Sequence, residues 1–256
     1  RRPPADKVEP PVVSRRVDLN LEVIAANGII TPNSPRSRTA DQFRVIKRPL
    51  INNATGKGAA PVANGNLIMV TSALPGEGKS FVALNLALSL ALEEQLPVAL
   101  VDADPHAPSV ARLLDLPSRR GLADRLAHPD LPLEQLLHRA DGLPLSVLDA
   151  GDATASPARL FGAPAMAALL DELARRHAGG VVILDGPPVL ATNEAPVLAQ
   201  QVAEVVLVIG AGRATEESVA SALELLDRGE RVALLLNRSR TGGDPGRYAR
   251  VYGSQG

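Results

Sequence analysis

Six short apolar runs punctuate the chain from Leu67 onward: Leu67-Ile68-Met69-Val70, Val98 to Val101, Leu145 to Leu148, Val181 to Leu184, Val205 to Ile209 and Val232 to Leu236. Each is bounded by polar or turn-forming residues, and each predicts a short buried strand. Helix-length stretches such as Ala165 to Arg176 and Thr215 to Arg228 lie between them. Apolar strands alternating with helices predict an α/β fold, with a mostly parallel central β-sheet flanked by helices on both faces. In such sheets ligands bind beyond the carboxyl ends of the strands, so the residues that follow each run are the candidates for chemistry.

The front of the chain follows another pattern. Residues 1 to 38 are rich in Pro, Arg and Asn, as in Arg1-Arg2-Pro3-Pro4 and Thr31-Pro32-Asn33-Ser34-Pro35, and predict a disordered basic arm. Over 39–51 the spacing of Phe43, Ile46 and Leu50 predicts a short helix with Asp41, Arg44 and Lys47 three apart on another face. Pro49 is expected to end or kink it. Asn52 to Asn66, with Gly56, Gly58, Pro61 and Gly65, reads as a linker. A single domain over 67–238 and a flexible tail over 239–256 account for the rest.

Charge sharpens this division. Residues 1 to 57 carry 11 Lys/Arg against 5 Asp/Glu, and the remainder 16 against 23, for a net charge of −1. The basic residues of the front are scattered among prolines, which favours a solvated tail over a nucleic-acid or lipid partner. The absence of cysteine rules out disulfides and thiolate metal sites and suits the cytoplasm. The longest apolar stretch, Phe81 to Leu92, is interrupted by Ser89 and falls short of the roughly 20 residues a membrane span requires. The chain opens without Met or a secretory leader, which leaves its upstream context open. His106, His128, His138 and His177 show no metal-ligand spacing.

Three strand ends carry candidate chemistry. After Leu67 to Val70 comes Ser72-Ala73-Leu74-Pro75-Gly76-Glu77-Gly78-Lys79-Ser80 and then a helical run. This matches the phosphate-binding P-loop, with Ala73 in place of its first Gly. Gly76 and Gly78 allow backbone N–H groups to turn toward phosphates, Lys79 reaches the β/γ-phosphates and Ser80 can ligate Mg²⁺, which makes ATP with Mg²⁺ the expected cofactor. The second strand ends in Val101-Asp102-Ala103-Asp104-Pro105, two carboxylates able to hold Mg²⁺ water and accept a proton from an attacking hydroxyl. A third ends in Asp185-Gly186-Pro187-Pro188, a lone carboxylate suited to supporting the metal.

Together Pro-Gly-Glu-Gly-Lys-Ser, Val-Asp-Ala-Asp-Pro and Leu-Asp-Gly-Pro-Pro resemble the Walker A, A′ and B motifs of the bacterial tyrosine kinases, and of the exopolysaccharide-associated autokinases among them. Asp41-Gln42-Phe43-Arg44-Val45-Ile46-Lys47 resembles that family's Glu-x-x-Arg-x-x-Arg oligomerisation helix, with Asp41, Arg44 and Lys47 at its charged positions. The resemblance implies nucleotide binding along Pro75, Gly76, Glu77, Gly78, Lys79, Ser80 and Phe81. It implies metal binding by Ser80, Asp102 and Asp185, and catalysis by Lys79, Asp102 and Asp104. It further implies autophosphorylation in trans, within a ring of copies, on C-terminal tyrosines. Tyr248 and Tyr252, the only tyrosines, both lie within nine residues of the C-terminus. A separate transmembrane chain-length-determining partner, which would recruit the protein to the inner membrane, is implied as well.

His106, where the family commonly has Arg, reads as positional, and Glu194 as a surface carboxylate at a helix start. The alternative is an ATPase switch resembling the septum-site and partition proteins, in which no tyrosine is modified. Those proteins usually carry an early Lys in the loop, whereas Ser72-Ala73-Leu74-Pro75 precedes Gly76 here.

Overall fold

A computed structural model of the chain describes residues 15–34, 37–54, 64–117, 120–151, 161, 164–227 and 231–239. Its eight strands are β1 (Arg15–Val17), β2 (Leu67–Ser72), β3 (Val98–Asp102), β4 (Leu137–Ala140), β5 (Leu145–Leu148), β6 (Val181–Asp185), β7 (Glu204–Gly210) and β8 (Val232–Asn237). The helices are α1 (Leu21–Ala26), α2 (Arg38–Ala54), α3 (Lys79–Glu93), α4 (Val110–Leu113), α5 (Leu122–Ala127), α6 (Pro164–Arg176), α7 (Glu194–Ala199) and α8 (Glu216–Leu226). The strands form one sheet in the order β1-β4-β5-β3-β6-β2-β7-β8. Every pairing is parallel except β4 with β5.

The continuous apolar runs are explained by burial on both faces, and every residue of β2, β3 and β6 is buried. Alternate side chains enter opposite cores, as the period of a strand requires. Ile68, Val70, Leu100 and Ile183 meet α3 on one side, while Leu67, Met69, Val101 and Leu184 join a core with Leu169 and Leu173 of α6 and Leu198 of α7 on the other. Helix α3 is apolar around most of its circumference because it lies between the sheet and α2, and eleven of its residues are buried. No helix among the described residues is long and apolar enough to cross a membrane.

Two expectations for the front of the chain fail. Residues 15–34, expected to lie in a disordered arm, are folded onto the sheet. β1 adds parallel to β4, with Arg16 opposite Arg139, and Ile24, Ile29 and Ile30 enter the α3 core. The Ile30 N–H donates to the buried Asn85 Oδ1 at 2.9 Å. Averaged composition hid a local set of apolar residues large enough to be ordered by burial. Helix α2 continues through Pro49 to Ala54, three residues into the expected linker. Pro49 and Val45, whose carbonyl loses its helical donor, both lie on the exposed face, where solvent can reach the group. Residues 1–14, the 55–63 part of the linker, and the tail with Tyr248 and Tyr252 lie outside the described residues.

Candidate active site

β2 leads into loop 73–78, and the loop is held from within by its own glutamate. Glu77 is fully buried; its Oε2 accepts the Leu74 N–H at 2.7 Å and its Oε1 the Gly210 N–H at 2.9 Å. Its carbonyl accepts a hydrogen bond from Asn237 Nδ2 at 2.9 Å. The loop is thereby tied to the ends of β7 and β8. Gly78 adopts φ +101°, and a Cβ there would lie 2.2 Å from Asn237 Nδ2, so conformation and space both require glycine. Ala73, at the position of the motif's first glycine, is buried with its methyl in the α6-side core. Pro75 and Gly76 form the exposed crest, and Ser80 and Phe81 are half-buried. The first amides of α3 have no partner within the helix and carry its positive end toward the loop.

Lys79 opens α3 and reaches two strand ends at once. Its Nζ lies 2.8 Å from Asp104 Oδ2, 3.4 Å from Asp185 Oδ1 and 3.4 Å from Ser80 Oγ. Burial opposes its charge, but Asp185 and Asp104, with Asp102 behind them, hold its pKa above the ordinary lysine value. Asp102 and Asp185 are directly opposite across the β3–β6 pair. Burial is the main cause of the rise in the Asp185 pKa, opposed by Lys79 and by the Ser80 hydroxyl. For Asp102, burial and then the Asp185 charge push it up to about 7.

The two carboxylates of the β3 loop are occupied with building that loop. Asp102 Oδ2 accepts the N–H groups of Ser109 and Val110 at 2.8 and 2.9 Å, and its Oδ1 that of Asp104 at 3.3 Å. Asp104 Oδ1 accepts from His106 and Ala107, each at 3.1 Å, which turns Oδ2 toward Lys79. Asp104 Oδ2 and Asp185 Oδ2 are both buried without a hydrogen bond, but Asp104 Oδ2 faces Lys79 Nζ at 2.8 Å, which leaves Asp185 Oδ2 alone. That orphaned oxygen, with the Ser80 hydroxyl nearby, fits a hard divalent cation. Among the described residues no group of three or more His, Cys, Asp and Glu could hold a metal alone, so phosphate and water oxygens would complete the shell, as Mg²⁺ prefers.

The loops around the site are tied together. The Val189 and Leu190 N–H groups donate to the Ser72 and Ala73 carbonyls at 2.8 and 3.1 Å, and Thr71 Oγ1 donates to the Pro187 carbonyl at 2.6 Å. Glu194, expected on the surface, is buried, with its Oε1 3.4 Å from His106 Nε2, so it links the loops after β3 and β6. Its place at a helix start suggested a solvated cap; the loop packed over it removes the solvent.

The charged triplet of α2 is divided between two roles. Asp41 and Arg44 pair at 2.8 Å on the exposed face, and Arg44 also reaches Glu93 at 3.3 Å. Lys47 is buried, 2.8 Å from Glu93 Oε2 and 2.9 Å from Glu94 Oε1, and so clamps α2 to α3 within the chain. Motif reading missed Glu77 as a brace and missed Asn237 altogether. The only sequence signal for Asn237 was a polar residue ending an apolar run.

A glycine loop between β2 and α3, a lysine at the start of the helix and carboxylates at two neighbouring strand ends define a P-loop NTPase. A family model described as ParA, NUBPL iron-transfer P-loop NTPase, matches residues 64–231. Tyrosine-protein kinase YwqD of Bacillus subtilis (strain 168) is 32% identical over 198 residues, 77% of this chain and 79% of that protein. Putative tyrosine-protein kinase EpsB of Ralstonia nicotianae is 31% identical over 195 residues, 75% of this chain but only 25% of EpsB. The crystal structure of the VpsO kinase domain superposes with a TM-score of 0.63 at 30% identity, covering 79% of this chain and 100% of that domain. The chain belongs to the bacterial tyrosine-kinase family of P-loop proteins.

Proposed function

We propose that this protein is an Mg²⁺- and ATP-dependent autokinase that phosphorylates Tyr248 and Tyr252 of a neighbouring copy and thereby regulates exopolysaccharide polymerisation or export. The observation that carries this reading is Lys79 set between Asp104 and Asp185 at the mouth of the glycine loop. The loop amides and Lys79 bind the phosphate chain, and Ser80 and Asp185 hold the metal, which supplies charge neutralisation on the phosphate oxygens. Transfer breaks the bond between the γ-phosphorus and the β–γ bridging oxygen, forms one to the tyrosine oxygen, and releases ADP. Asp104, whose Oδ2 faces the site, positions the acceptor hydroxyl and takes up its proton, while Asp102 behind it holds the loop that presents Asp104.

Ring assembly through Asp41 and Arg44 would bring a neighbour's tail to this site, with Lys47 fixing the helix that presents them. A transmembrane polysaccharide co-polymerase is the proposed membrane anchor, in keeping with the name of the Rhizobium meliloti relative, succinoglycan biosynthesis transport protein ExoP. Mass spectrometry after incubation with Mg·ATP tests the reading. Phosphate on Tyr248 or Tyr252 that disappears in Lys79→Met is the expected result. ATP turnover with unmodified tyrosines would instead favour a switch of the ParA type, the reading to which the family-model match lends weight.

A further inference from the structure

Arg213 lies in the turn after β7, outside every motif described above. Its backbone N–H donates to the Gly210 carbonyl at 3.0 Å, as does that of Ala214 at 3.1 Å, and Gly212 takes φ +71° to close the turn. Gly210 in turn donates to Glu77 Oε1. The turn and the glycine loop therefore share one anchor, which holds the backbone of Arg213 beside the loop.

The guanidinium lies against Gly76. A Cβ on that glycine would meet Arg213 Nη2 at 3.1 Å and Cζ at 3.2 Å, so the missing side chain makes room for the arginine. Arg213 is exposed, and among the described residues its side chain has neither a hydrogen bond nor an ion pair. Here five N–H donors in a rigid fork stand unengaged beside a loop shaped for phosphates, and that fork matches two phosphate oxygens at once. Lys79, the other cation of the site, is drawn inward by Asp104 and Asp185.

We propose that Arg213 is a nucleotide-binding residue that grips the phosphate chain from the outer rim of the loop. The inference rests on the P-loop reading of the site and adds a contact from the β7 turn. Because the contact is to phosphate, it discriminates by the number of phosphates and leaves the base unread.

Calorimetric titration of the full chain with MgADP and with adenosine, using wild type, Arg213→Gln, Arg213→Lys and Lys79→Met, tests it. Arg213→Gln is expected to weaken MgADP binding by about tenfold, in the range of one charge-assisted contact. Adenosine affinity and the melting temperature of the free protein should stay unchanged, and Arg213→Lys should fall between the two because it restores charge without the fork. Wild-type affinity in Arg213→Gln, alongside loss of binding in Lys79→Met, would overturn the inference and leave the P-loop reading intact. An equal loss for adenosine and MgADP would also overturn it, since the contact would then not be to phosphate. A wild-type protein that binds no MgADP would overturn both.

Discussion

Glu77 brings a carboxylate to two backbone N–H groups that would otherwise be buried without partners. Exchange for glutamine keeps the shape but leaves one of those N–H groups facing an amide NH₂. Glu77→Gln should therefore lower stability by about 1.5–3 kcal/mol in urea denaturation, and weaken MgADP binding in the same preparation. His177, at the end of α6, poses a question of charge instead. Burial first, then Arg139 on β4 and Arg176 on α6, depress its pKa below 6.5, and Arg16 and Asp141 line the same cavity. The unfolded chain takes up a proton as pH falls through 6.5, and the folded chain does so only lower. Stability from this residue is level above that pH and declines between the two pKa values. Denaturation at about pH 7.5 and about pH 5.5 should show a larger acid loss in wild type than in His177→Asn, which retains a donor for the Leu173 carbonyl.

Among the elements, α2 and the N-terminal segment depart furthest from what their sequences suggested. Lys47→Ala removes the ammonium shared by Glu93 and Glu94. Both glutamates keep some solvent, so the expected loss is about 1–2 kcal/mol, below that of a wholly buried pair. Denaturation at concentrations where the chain is monomeric separates this clamp from a purely intermolecular role, which would leave the monomer unaffected. Ile24 is wholly buried, and Ile24→Ala should cost about 2–5 kcal/mol, against nothing if residues 15–34 were a free arm. The strands of the centre were legible because continuous apolar runs have few alternatives when helices cover both faces. β4 was not, because Leu137-His138-Arg139-Ala140 mixes polar and apolar residues at an antiparallel pairing with β5. Neither was β1, whose pairing with β4 lies far along the chain and left no local periodicity to read.

At the scale of the whole molecule, the parallel sheet brings residues from five strand ends to one edge: Ser72, Asp102, Asp185, Gly210 and Asn237. Three of these ends were recognisable because P-loop chemistry demands particular residue types there. The other two act through backbone and amide contacts that many sequences can supply. Coupling of site and fold predicts that saturating MgADP, at 100 times its dissociation constant, raises stability by about 2.7 kcal/mol and that EDTA removes much of the gain. Mg²⁺ without nucleotide should leave the melting temperature unchanged, because the Lys79 ammonium already stands between Asp104 and Asp185. On the reading proposed above, the lysine would act as a resident plug. A phosphate chain that drew the ammonium away would free the carboxylates for the metal, so that metal and nucleotide would enter together, with the order of arrival set by a single side chain.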